Sequence, residues 1–336
     1  MIPCIDIPVT EGSQVGEARR AALRLAAEHE VDEIARGRLA IVVTELGTNL
    51  ARHAKGGRLL IGCRSGVEGC QVEVISMDSG PGMADVGRCL RDGYSSGGTA
   101  GTGLGAVQRL STDFSVYSLP DRGTVILSRT WAPAAGAPTA MSPRARFAHA
   151  GICLAAPGET VSGDAWDIRI DDGKASVIVA DGLGHGPIAA EAAGEALKTF
   201  AASRGAPSAV LERAHAAMRS TRGAAVAIAD VDARAGSVVF CGAGNIAGRL
   251  VSGVEDRSLM SQHGTVGLQI RRLQDTPYVW PDHALLVLHS DGLTTRWNLK
   301  DAPGLLQCDP AVVAAWLVRE HTRGTDDVTV VVLKRG

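Results

Sequence analysis

Glu45, Asn49 and His53 recur every four residues, so a helix through this stretch lines them along one face and puts Ile41, Val42, Leu46 and Leu50 on the other. An Asn oxygen is a hard ligand suited to Mg²⁺, and a carboxylate one turn away can take a proton from an attacking hydroxyl. An ordinary amphipathic helix with a polar stripe has the same spacing, so the pattern gains meaning only beside the Asp- and Gly-rich segments further along the chain. Asp78 ends an apolar run and is followed by Gly80 and Gly82, where missing side chains let a planar ring approach while the carboxylate accepts from an exocyclic amine. The run Gly101, Thr102, Gly103, Leu104, Gly105 then opens a helical stretch, and exposed amides at a helix start make a phosphate cradle. No strand leads directly into these glycines, which argues against a dinucleotide-binding turn.

The second half carries a different chemistry. Asp164, Asp181, Asp291 and Asp326, with Asp327 beside the last, are far apart in sequence, yet each lies at the edge of an apolar strand candidate. A single Asp-Gly after a strand reads better as a turn. Four at strand edges can converge, and converging carboxylates repel one another unless cations occupy the cluster. All-oxygen ligands favour Mg²⁺ or Mn²⁺, and a pair of such ions supplies a water-derived nucleophile for phosphate hydrolysis.

The elements that must hold these groups separate into two sets. Residues 4–9 read as a strand, 14–30 and 32–54 as helices, 58–64 and 70–77 as strands, a helix starts near Gly103, and 114–118 and 124–129 read as strands. Helices followed by strands imply an α+β sandwich. A Pro-, Ala- and Gly-rich segment without an apolar face comes after Trp131 and reads as a linker. Beyond it, strand candidates at 148–155, 165–170, 175–180, 224–231, 237–241, 284–289 and 328–333 outnumber helices at 187–203, 206–219 and 310–321, which points to stacked sheets with helices outside.

A chain of 336 residues accommodates two domains, and the formal charge of −2 comes with Lys and Arg scattered along it. Neither a nucleic-acid tract nor a polybasic membrane patch is indicated, and no apolar stretch approaches about 18 residues, so a cytoplasmic protein is expected. The seven cysteines, at 4, 63, 70, 89, 153, 241 and 308, include no Cys-x-x-Cys pair. Neither a disulfide framework nor a thiolate zinc site is expected, and the thiols read as small apolar core residues.

Taken together, the first set of motifs resembles the GHKL ATP-binding fold of gyrase, chaperone and histidine-kinase ATPases, and within it the RsbT-type switch-protein serine kinases. The likeness is carried by residues 45–57 (ELGTNLARHAKGG) and 92–98 (DGYSSGG). It implies Glu45 as catalytic base, Asn49 as Mg²⁺ ligand, Asp78 as adenine reader, Gly101 to Gly105 as lid and phosphate loop, and Thr124 as the last adenine-side element. The second set, in 162–167 (SGDAWD), 179–186 (VADGLGHG), 290–292 (SDG) and 324–329 (GTDDVT), resembles PP2C-type phosphatases of the SpoIIE and RsbX branch, an αββα sandwich. That resemblance implies Asp164, Asp181 and the Gly182 carbonyl at a metal pair, with Asp291 and Asp326 completing it and Asp327 able to exchange with Asp326. The expected organisation is a GHKL-like domain over 1–131, a linker over 132–145 and a PP2C-like domain over 146–336. The expected function is a partner-switching regulator that phosphorylates and dephosphorylates Ser or Thr of STAS-type antagonist proteins, within a stress-signalling or sigma-factor regulatory system. The alternative is an ATP-binding anti-sigma or nucleotide-sensing module fused to a catalytic phosphatase.

Overall fold

The computed structural model describes residues 4–66, 69–91, 103–133 and 147–335, and the chain forms two compact units divided between positions 142 and 143. In the first unit, β1 (Ile5–Pro8) precedes α1 (Gly12–Glu28) and α2 (Glu33–His53). The hairpin of β2 (Arg58–Gly66) and β3 (Gly69–Asp78), the short α3 (Val86–Cys89), α4 (Gly103–Leu110), β4 (Asp113–Ser118) and β5 (Thr124–Pro133) complete it. The sheet is antiparallel with order β1-β2-β3-β5-β4. The helices lie on one face of the sheet, over a core that includes Leu39, Val42, Leu46, Leu50, Leu59, Ile61, Val74 and Val107.

The helix that carries Glu45 and Asn49 is fixed at both ends. The Asp32 side chain accepts from the Ala35 amide at 2.9 Å, and Glu33 in the first turn with Arg52 and His53 in the last complement the helix dipole. Its apolar face differs from the expected one in a single residue. Ile41 is 48% exposed, and Val43 and Leu39 fill the seam instead. At the end of the unit, β5 runs on through Pro133, two residues into the segment read as linker, because its backbone continues to pair with β3 as far as Gly69.

The cysteine expectation needs correction. The sulfurs of Cys63 and Cys70 are in bonding contact. Seven residues of separation conceal this in the sequence. The antiparallel register pairs Cys63 with Val72 and Ser65 with Cys70, so the two cysteines meet diagonally on the helix-facing side of the hairpin.

The second unit contains β6 (Phe147–Leu154), β7 (Asp164–Asp171), β8 (Lys174–Gly182), α5 (Pro187–Ala202), α6 (Pro207–Ala217), β9 (Ala224–Asp232), β10 (Ser237–Ala243), β11 (Ala247–Val251) and β12 (Asp256–Leu259). The small β13 (Gly264–Thr265) and β14 (Gln269–Ile270) come next, then β15 (Thr276–Val279), β16 (Leu285–His289), α7 (Pro310–His321) and β17 (Val328–Arg335). Two five-stranded sheets form, β15-β10-β9-β8-β7 and β12-β11-β16-β17-β6. Their inner faces interlock through Trp166, Val177, Val179, Phe240, Leu286, Leu288 and Val331. Helices α5 and α6 cover the first sheet through Ala192, Ala196, Phe200 and Leu211, while α7 packs against β6 and β17 of the second. The result is an αββα sandwich. Strands β11, β12 and β15 are not expected from the sequence, because they are short and partly polar and carry little apolar alternation.

Candidate functional sites

In the first unit, Glu45 and Asn49 are half-buried on α2. The first residue of α4 lies against Glu45: a Cβ placed on Gly103 would stand 2.6 Å from Glu45 Oε2, so a larger residue there would push the end of that side chain aside. Asp78 ends β3 opposite Thr124 of β5. Its Oδ1 accepts from the Gly80 amide at 2.7 Å, and the Ser79 amide donates to the Lys55 carbonyl at 2.9 Å, which ties the turn after β3 to the end of α2. Thr124 is buried, its hydroxyl 2.8 Å from that of Ser118, which also accepts from the Met83 amide at 2.7 Å. Gly80 is buried and Gly82 packs against the Leu119 carbonyl. Leu104 and Gly105 belong to the first turn of α4, whereas Gly101, Thr102 and the 92–98 motif lie outside the described residues. A carboxylate–carboxamide helix face, a strand-end carboxylate and a helix start thus border one end of the sheet. His53 and Lys55 are both exposed at the helix end.

The second unit gathers carboxylates between its sheets. Asp164 and Asp181 sit directly opposite across β7 and β8. Asp291 follows β16 after Ser290, and Asp326 and Asp327 precede β17. Burial pushes Asp164 up to about 7, with the Ser290 hydroxyl opposing that rise. Burial, then the charges of Asp164, Asp291, Asp326 and Asp327, pushes Asp181 up to about 8. Among the described residues none of Asp164, Asp181, Asp291 and Asp326 forms an ion pair with Lys or Arg. Oxygen donors alone, crowded and lacking a protein counter-charge, fit a hard divalent cation.

Several contacts hold this cluster in place. Ser290 Oγ donates to Asp164 Oδ2 at 2.6 Å and accepts from the Thr329 amide at 2.9 Å. Behind it, Trp297 donates to His289 Nε2 at 3.1 Å, so the proton is on Nδ1, which donates to the Ser290 carbonyl at 2.8 Å. Burial lowers His289 to about 4, keeping it neutral. The Gly182 amide donates to the Gly163 carbonyl at 3.1 Å. A Cβ on Gly292 would lie 1.9 Å from the Asp327 carbonyl oxygen, so the loops after β16 and before β17 touch backbone to backbone.

The neighbouring acids Asp326 and Asp327 differ sharply. Asp327 is buried and both its oxygens are engaged, Oδ1 by the Ala156 amide at 2.8 Å and Oδ2 by the Gly163 amide at 2.9 Å. Asp326 is exposed and accepts from the Asp327 amide at 2.9 Å. Asn245, in the turn between β10 and β11, carries no signal in the sequence. Its Nδ2 donates to Asp291 Oδ2 at 2.7 Å. On the loop after β8, His185 Nδ1 lies 2.7 Å from Oε1 of Glu159 on the loop after β6, a contact suited to loop packing.

Comparison with known proteins agrees with this division. Residues 7–129 match the histidine kinase-like ATPase domain family, and residues 171–336 match the family described as Stage II sporulation protein E (SpoIIE). The serine/threonine-protein kinase RsbT of Bacillus subtilis (strain 168) is 31% identical over 116 residues, which cover 34% of this chain and 86% of RsbT. A solved structure described as "The bacterial stressosome: a modular system that has been adapted to control secondary messenger signaling" aligns with a TM-score of 0.52 at 27% identity, over 56% of this chain and 99% of that one. A structure of RsbX in complex with magnesium aligns with a TM-score of 0.51 at 20% identity, over 58% and 98%, a likeness of fold. The chain therefore belongs, through its N-terminal half, to the RsbT-containing family of histidine kinase-like ATPases, and joins that GHKL domain to a C-terminal PP2C-like domain of the SpoIIE family. Among the described residues, no helix is long and apolar enough to cross a membrane.

Proposed function

We propose that the chain is a bifunctional partner-switching regulator, whose N-terminal half transfers phosphate from ATP to a Ser or Thr of a STAS-type antagonist protein and whose C-terminal half removes it. The observation that carries the second activity is the convergence of Asp164, Asp181, Asp291 and Asp326 in a partly buried cluster without a basic partner. Asp164, Asp181, the Gly182 carbonyl, Asp291 and Asp326 would hold two Mn²⁺ or Mg²⁺ ions. When bound, such ions activate water and neutralise charge on the phosphoryl group. Asp327, with both oxygens committed to amides, acts as a clamp joining the loop after β6 to β17, and Asp326 is the ligand of the pair. Ser290 orients Asp164, and Asn245 orients Asp291.

In the N-terminal half, Asn49 would hold Mg²⁺ with ATP, and Asp78, beside Thr124, Gly80 and Gly82, would read the adenine amine. The segment 101–105 would cover the phosphates. The close approach of Gly103 to Glu45 supports Glu45 as the base, since a module that only binds nucleotide has no need of a base there. Binding of ATP and Mg²⁺ to this half, with Mn²⁺ bound independently by the other, is tested by calorimetry on the full chain carrying either Asn49→Ala or Asp181→Asn. Each variant should lose one ligand and keep the other. Loss of both from either variant would contradict two separate sites.

A further inference from the structure

The loop that carries the Gly182 carbonyl runs beside an unpaired guanidinium. Strands β8 and β9 set Asp181 opposite Ala225 and Gly182 opposite Ala224. The ladder continues one step past the strands, where the Leu183 amide donates to the Gly223 carbonyl at 3.0 Å. Arg222 therefore comes level with Gly184, and a Cβ placed on Gly184 would stand 3.4 Å from Arg222 Nη1. On its other side, the Gly184 carbonyl oxygen would lie 3.3 Å from a Cβ on Gly163, the residue before Asp164. Arg222 is exposed, and among the described residues no carboxylate or carbonyl engages it. Glu159, which reaches the same loop at Gly186, is paired instead with His185 at 2.7 Å. We propose that Arg222, with the apolar side chains around it, forms the docking surface for a phosphorylated Ser or Thr segment of a protein partner, a role that rests on the two-metal phosphatase reading of the carboxylate cluster.

Charge complementarity selects the occupant. A phosphomonoester brought to the carboxylates would meet cations on one side, and its outward oxygens need a donor from the protein. A planar guanidinium matches phosphate with two parallel N–H···O bonds, and an unpaired one keeps all its donors for that contact. The rim adds the second half of the recognition. Leu183 and Leu268 are 54% and 55% exposed, and both border Gly223, Leu183 through its amide and Leu268 through Cγ, 3.0 Å from a Cβ placed there. Ile188, 50% exposed, follows in the first turn of α5, where the Ala189 carbonyl lies against Gly182. Large apolar side chains grouped in water, in contrast to single scattered ones, mark an interaction surface. Apolar residues flanking a phosphorylated Ser or Thr would cover them, which free phosphate cannot do.

The test uses the full chain in Mn²⁺ with three fluorescein-labelled peptides: a non-hydrolysable phosphonate analogue of phosphoserine between leucines, serine in its place, and the phosphonate between glycines. Fluorescence anisotropy reads peptide binding, and calorimetry reads Mn²⁺ binding separately. Wild type should prefer the phosphonate to the serine peptide, and leucine flanks to glycine flanks. Arg222→Ala should weaken the phosphonate peptide by roughly 10- to 100-fold, the range of a hydrogen bond to a charged group, and leave Mn²⁺ binding unchanged. Arg222→Lys, which keeps the charge but not the fork, should fall between the two. Leu268→Ser should reduce the preference for leucine flanks. Arg323, an exposed guanidinium three residues before Asp326, is the comparison, and Arg323→Ala should bind the phosphonate as wild type does. Parental phosphonate affinity in Arg222→Ala, or a loss found in Arg323→Ala instead, would overturn the proposal while Mn²⁺ binding stands. Equal binding of leucine- and glycine-flanked phosphonates by wild type would overturn it as a protein-docking surface. Failure of wild type to bind Mn²⁺ would sink the two-metal reading, and the proposal with it.

Discussion

Replacing Asp181 by Asn should make the metal-free protein more stable while removing its response to metal. Burial and then the charges of four neighbouring carboxylates raise this carboxyl from 3.8 to about 8. Between those values the folded state keeps a proton that the unfolded state has lost, so the stability of the metal-free second unit falls as pH rises from about 4 to about 8. At about 1.4 kcal/mol per unit, over roughly three units up to pH 7, the upper bound is about 4 kcal/mol. Hydration and relaxation of a cluster that is not fully sealed reduce this to roughly 2 kcal/mol. An amide carries no such cost. For a unit of this size, Asp181→Asn should therefore raise the unfolding midpoint in chelator at pH 7 by about 4–8 °C and flatten its pH dependence. Scanning calorimetry with EDTA and then with Mn²⁺ reads both effects. A variant that melts below the parent in EDTA, or that keeps the parent's Mn²⁺-induced rise, would refute the reasoning.

The same geometry sets four further outcomes. Glu45→Ala should retain ATP affinity by calorimetry and lose phosphotransfer by at least roughly 100-fold in a labelled-phosphate assay, since general-base catalysis contributes about 10²–10⁴; undiminished transfer would exclude Glu45 as the base. Asn49→Ala should abolish the Mg²⁺ dependence of nucleotide binding, and Asp78→Asn should weaken ATP more than it weakens an analogue lacking the exocyclic amine, as competition titration would report. Gly292→Ala drives a methyl onto the Asp327 carbonyl, 1.9 Å away, and should cost roughly 2–3 kcal/mol and remove the Mn²⁺-induced shift of the midpoint; a variant with parental stability would mean that the two loops do not touch.

The sequence displays the features that depend on one element and hides those that depend on two. Glu45 and Asn49 are readable because a helix aligns every fourth residue, and Asp164 and Asp181 because each ends or begins an apolar strand. The family-bearing motifs carry the two folds for the same reason. Whether Asp326 or Asp327 faces the cluster is not readable, since two adjacent side chains are sorted by the amides of Ala156 and Gly163, which lie 171 and 164 positions before Asp327. Asn245 gives no signal either, being a turn residue whose partner, Asp291, comes from another strand's end. The meeting of Cys63 and Cys70 requires the hairpin register, and the exposure of Ile41 requires knowing how far the α2 seam extends around the helix.

A chain that both adds and removes phosphate on a single protein partner can be caught in both acts in one vessel. The full chain is incubated with a STAS-domain protein and γ-labelled ATP in Mg²⁺, the ATP is removed, Mn²⁺ is added, and label on the partner's Ser or Thr is followed throughout. Label should accumulate with wild type and with Asp181→Asn, fail to accumulate with Glu45→Ala, and be released after Mn²⁺ addition only where Asp181 is intact. ATP binding without any transfer to STAS-domain proteins, or release of label that persists in Asp181→Asn, would contradict the bifunctional reading.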